Sequence, residues 1–167
     1  MATVYQPFDP NSADFLSTSF PGIVRNGTNF PATGLAYDPS AADEAAFWHF
    51  EATNYGSGNV TVRIEWYADT ATTGDVVWGV QLAAITANTD TTDTETKALA
   101  TANTATDTHL GTTGQRLHTI DVTVSNLDSL ANRDSVWMRV YRDSDAAGDT
   151  MAGDAILTQI TVSYSDT

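Results

Sequence analysis

The chain has 167 residues, 41% of them apolar, with four tryptophans and no cysteine, and its seven basic residues against 21 acidic ones give a formal charge of −14. That length suits one domain with a hydrophobic core, and the lack of cysteine excludes disulfides, thiolate metal sites and cysteine nucleophiles. The charge repels nucleic acid and anionic membrane surfaces, and no apolar run reaches the length of a membrane span.

Residues 1–44 hold all five prolines (Pro7, Pro10, Pro21, Pro31 and Pro39). Proline lacks the ladder donor and restricts the residue before it, so the pattern predicts an irregular N-terminal arm. Within it, Asn26-Gly27 between short apolar pieces signals a tight hairpin. Phe8, Phe15, Phe20 and Phe30 are spaced along the segment. They pin it to its own core or, as an arm, to a neighbouring subunit. The start of the chain shows no basic n-region followed by an apolar h-region, so no secretory signal is expected.

From Ala45 the pattern becomes period two, and residues 45–167 read as one β-sandwich domain. Strands are expected over 45–53, 59–69, 76–86, 117–125, 135–143 and 155–165, because alternating apolar residues mark half-buried antiparallel strands. In 59–69, for example, Val60, Val62, Ile64, Trp66 and Ala68 share one face. The polar tract 87–116 accommodates one more exposed strand, over 95–106, or a long mobile loop; the strand is favoured. The run 125–134, with Leu127 and Leu130 three apart and Ser125 or Asn126 as cap, predicts a short helix closing one end. The sum is an all-β, two-sheet antiparallel β-sandwich, jelly-roll-like, with one short helix and the irregular N-terminal segment.

One stretch gathers candidate metal ligands. In "RDSDAAGDTMAGD" (142–154), Asp143, Asp145, Asp149 and Asp154 fall at positions 1, 3, 7 and 12, with Gly148 at position 6. This partly matches a calcium loop but departs at Ala147, and Asp154 stands where the loop has a bidentate glutamate. The alternatives are an acidic turn between strands and a calcium clip on that turn. No cofactor other than that calcium is expected. Glycoside hydrolysis needs two carboxylates facing across a cleft, which nothing in the sequence shows, so the chain is read as non-enzymatic. His49, His109 and His118 stand far apart without ligand spacing. Trp66 and Trp78 fall on predicted core faces. Trp48 and Trp137 fall opposite part of the core pattern, as a sugar platform or, the favoured reading, as core or subunit interface.

The C-terminal stretch "VTVSNLDSLANRDSVWMRVYRDSDAAGDTMAGDAILTQITVSYSDT" and the upstream "VTVRIEWYADTATTGDVVWGVQL" resemble a layout of phage virion β-sandwich proteins. The resemblance is at the level of the fold and covers about residues 45–165. It implies a capsid decoration (cement) protein on the outer capsid surface, a homotrimer bound to the major capsid protein; the charge argues against a nucleic-acid or membrane partner. The alternative is a carbohydrate- or receptor-binding module of a tail fibre or secreted protein.

Overall fold

A computed structural model describes residues 2–40 and 43–167. It contains ten strands: β1 Thr3–Phe8, β2 Gly22–Asn26, β3 Ala32–Tyr37, β4 Ala45–Glu51, β5 Tyr55–Ala68, β6 Asp75–Ile85, β7 Asn103–Thr108, β8 His118–Val124, β9 Ser135–Arg142 and β10 Ala155–Asp166. All pairings are antiparallel. One sheet has the order β2-β3-β10-β5-β8, with β1 also on β10; the other is β4-β9-β6-β7. Strands β3 to β10 thus alternate early and late segments across two sheets, which is the jelly-roll order.

Alternation decides which face is buried. Val60, Val62, Ile64 and Trp66 of β5 meet Val76, Trp78, Val80 and Leu82 of β6 and Val136, Met138 and Val140 of β9 in one core. Each such side chain, fully removed from water, contributes about 1.5–3 kcal/mol before chain entropy is counted. The ring centroids of Trp66 and Trp78 lie 6.3 Å apart between the sheets, and the Tyr37 and Trp78 rings meet edge to face with centroids 5.2 Å apart.

Four expectations are corrected. The segment 1–44 is not irregular: three of its stretches are strands of the first sheet, and β1 and β3 pair with the same strand, β10. Residues 1, 41 and 42 of that segment lie outside the described residues. Its prolines bound strands rather than interrupt them, and Pro7 sits in β1, an edge strand that tolerates a missing donor. The Asn26-Gly27 hairpin exists, but Asn26 pairs with Ala32 across a five-residue loop and not a two-residue turn.

The helix at 125–134 is absent. Asp128, Ser129 and Arg133 adopt left-handed φ values of 54°, 62° and 68°. Asp134 Oδ2 accepts the Ala131 amide, and Asp128 Oδ2 accepts the Ala84 amide. Side-chain acceptors of this kind compete with the helix for backbone donors. In the tract 87–116 the strand is shorter and later than 95–106, covering Asn103–Thr108 only. The part before it is a set of turns, with Asp93 accepting the Glu95 amide.

A cleft on the outer face of the four-stranded sheet

The outward side chains of the four-stranded sheet form rows set by register. His49 of β4 is paired with Trp137 of β9, which is paired with Ala83 of β6. The next row is Phe47, Arg139 and Gln81. The third is Ala45, Tyr141 and Gly79. Successive rows stand about 7 Å apart, two residues along a strand. Trp137 and His49 stack at 4.5 Å with 28° between planes. The Arg139 guanidinium lies 4.1 Å over the Tyr141 ring, and its Nη1 donates to Gln81 Oε1 at 2.6 Å. A Cβ on Gly79 would come within 2.3 Å of the Tyr141 ring, so glycine is what lets that ring lie against the sheet.

Two segments wall this floor into a cleft of about 630 Å³. One is Asp14-Phe15-Leu16, pinned by a two-way bridge between Asp14 and Phe47. The other is the loop carrying Thr94, Glu95, Lys97 and Leu99. Lys97 Nζ holds that loop through Asp128 Oδ2 at 2.9 Å, and Gln81 Nε2 donates to Ala100 O at 2.9 Å.

Of the six aromatics singled out in the sequence, Phe15, Trp48 and Trp137 line this cleft. Trp48 does not form a platform: it is 1% exposed, lies in the core below the floor, and its Nε1 donates to Asp9 O. The cause is register, since Trp48 faces inward with Ala46 and Phe50 while Phe47 and His49 face outward. Phe8 packs on Phe50 at 5.6 Å, and Phe20 touches Phe15 at 5.8 Å. Phe30 is far exposed, in a separate hollow on the other sheet with Tyr67 and Leu117.

The four aspartates of 142–154 do not converge as a calcium loop. Asp149 is buried in an ion pair: Arg142 Nε and Nη2 reach its two oxygens at 2.9 and 2.6 Å, and the Val77 amide donates to Oδ2. Arg142 spends its other three donors on the carbonyls of Tyr37, Gly153 and Met151, so all five N–H groups are satisfied. Asp154 sits in another neighbourhood, where burial, then Asp38 and Asp69, raise its pKa. Asp143 and Asp145 instead meet Asp43, a residue the sequence did not offer because it lies a hundred positions away (from 43 to 143). Carboxylate oxygens of the three lie within 4.8 Å of one another. Burial first, then the hydrogen bond with Asp145 and the charge of Asp43, pushes Asp143 up to about 6. Hard oxygen donors so arranged can accept a cation.

The histidines are not all solitary. His109 and His118 lie 4.8 Å apart, and His118 stacks on Trp66 at 4.3 Å. His118 Nε2 is buried with no hydrogen-bond partner. His109 Nδ1 accepts the Gly111 amide, and its Nε2 lies 2.9 Å from Gly114 O. Sequence reading missed the pair because strands β7 and β8, in different sheets, bring it together.

No family model matches the sequence, and no curated protein matches it. Solved structures do. The chain is similar to part of the Arthrobacter globiformis T6 isomalto-dextranase complexed with panose, at TM-score 0.62 and 12% identity, over 95% of this chain and 23% of that one. It therefore spans about a quarter of that enzyme's length. A non-crystalline cellulose specific carbohydrate-binding module, CBM28, matches at TM-score 0.49 and 13% identity over 91% of this chain and 85% of its own. The CBM36-1 domain of a multidomain xylanase from the hindgut metagenome of Trinervitermes trinervoides matches at TM-score 0.47 and 8% identity, over 98% of this chain and 100% of its own. Identities this low establish the fold, an all-β sandwich. None of these structures is a virion protein, so the resemblance to phage virion proteins reaches the β-sandwich architecture and no further.

Proposed function

We propose that the chain is a non-catalytic glycan-binding module whose ligand lies in the cleft over the four-stranded sheet. The observation that carries this reading is the Trp137–His49 stack on the floor of that cleft, with charged and amide groups one row away. An aromatic face covers the C–H side of a sugar ring, while flanking polar groups take its hydroxyls. The likeness in fold to one part of an isomalto-dextranase supports the same reading.

The test is retardation in native gels cast with soluble polysaccharides, backed by a glycan array. The wild-type chain is expected to be retarded by at least one polysaccharide, and Trp137→Ala to migrate freely. Free migration of the wild type through every polysaccharide, with a blank array, would sink the reading.

A further inference from the structure

The cleft contains a cation that makes no ion pair among the described residues. The chain has 21 acidic and seven basic residues, so a basic side chain has many carboxylates to choose from. Arg63, Lys97, Arg133 and Arg142 each take one. Arg25 and Arg116 do not, and both are exposed. Arg139 takes none among the described residues, yet it is half-buried on the cleft floor, with Asp43 and Asp145 lining a hollow on its other side.

Its hydrogen bonds are to neutral groups: Gln81 Oε1 at 2.6 Å, and the Asp43 carbonyl at 3.5 Å. A guanidinium has five N–H donors, so three meet no protein acceptor here. Asp43 does feel the charge, but burial raises its pKa more than Arg139 lowers it. The group is also held still. Gly79 lets the Tyr141 ring lie flat, the ring supports the guanidinium, and Gln81 fixes one end. Lys97, the other cation of the cleft, is already tied to Asp128. A planar fork, oriented in advance and one row from the Trp137 stack, is built for a planar anion.

We propose that the glycan held on Trp137 carries a carboxylate one sugar away, and that Arg139 receives it, so that the cleft selects uronic-acid-containing chains over neutral ones. The inference rests on the glycan reading. A charge-assisted pair of this kind, made in a partly dry cleft, corresponds to a preference of at least about tenfold.

Calorimetric titration decides it, using oligogalacturonate, oligomannuronate and glucuronate-substituted xylo-oligosaccharide, each beside its carboxyl-reduced counterpart. For at least one pair the acidic form is expected to bind about tenfold tighter or more. Arg139→Gln brings that ratio to near one, and Arg139→Lys, which keeps the charge but loses the fork, leaves an intermediate ratio. Thermal unfolding of each variant confirms that the fold is retained. Ratios near one in the wild-type chain overturn the inference while leaving the glycan reading standing. A ratio that survives Arg139→Gln overturns it too, because the carboxylate is then received elsewhere. Failure to bind any acidic or neutral form overturns both readings.

Discussion

Removing the carboxylate of Asp149 should do more damage than removing any other acidic group of the 142–154 stretch. Arg142 and Asp149 are only 1% and 2% exposed at their side chains. In Asp149→Ala the guanidinium keeps its three carbonyl partners but becomes a buried charge without a counter-ion. Breaking a buried pair in this way costs about 3–5 kcal/mol. The unfolding entropy is about 2.1 cal/mol/K per residue, hence about 0.35 kcal/mol/K for this chain, and the loss corresponds to a Tm lowered by about 9–14 °C. Asp145→Ala, at an exposed position of the same loop, should change stability by no more than about 0.5 kcal/mol. Scanning calorimetry and urea unfolding at pH 7.5 measure both. In a third variant, Arg142→Met with Asp149→Leu, both charges are gone, but the carbonyls of Tyr37, Gly153 and Met151 and the Val77 amide lose their partners, so a large loss of stability remains. Equal, small Tm shifts for Asp149→Ala and Asp145→Ala would refute the reasoning.

Three further outcomes are expected. Trp78→Ala, in the core, should cost about 3–5 kcal/mol in urea unfolding, while Trp137→Ala loses less stability but abolishes polysaccharide retardation; a folded Trp137→Ala chain that is still retarded contradicts the cleft assignment. Asp143 has its pKa raised to about 6, so its contribution to stability is fully present below about 3.8 and lost as pH rises through about 6. Asp143→Asn should therefore raise Tm at pH 7.5, with the gain fading by pH 4.5; a gain that is constant over this range argues against a titrating carboxyl. His118 has the opposite sign: burial lowers its pKa below 6.5, so stability is held above that pH and lost as pH falls below it. His118→Phe, which keeps the stack on Trp66, should flatten part of the fall in urea midpoint between pH 7 and 5, and an unchanged slope would count against it.

The sandwich was legible because burial follows the sequence alternation along β5, β9 and β10. What stayed hidden depended on pairing. "AAFWHFE" offers two faces, and only its register with β9 shows that His49, not Trp48, joins Trp137. The N-terminal strands were obscured by prolines that sit beside them, at 21, 31 and 39. The short helix failed because aspartates near Leu127 and Leu130 bond to backbone amides in turns. Arg139 gave no local signal at all. Its meaning comes from what surrounds it: a ring below, an amide to the side, and, among the described residues, no carboxylate close enough for an ion pair.

The central place of β10 sets the order in which the molecule can be assembled. One of its edges carries β1 and β3, and the other carries β5. Without it the first sheet falls into a β2–β3 hairpin, a lone β1 and a β5–β8 pair. Synthesis delivers this strand after all the others, so β1 and the β2–β3 hairpin leave the ribosome before the strand that joins them to the sheet. Their edges that face β10 stay unpaired until nearly all of the chain is available. Closure of such distant partners places folding in the slow, millisecond-to-second class of β proteins. In a cell, that interval is when the protein is most open to chaperones and to association through its unpaired edges.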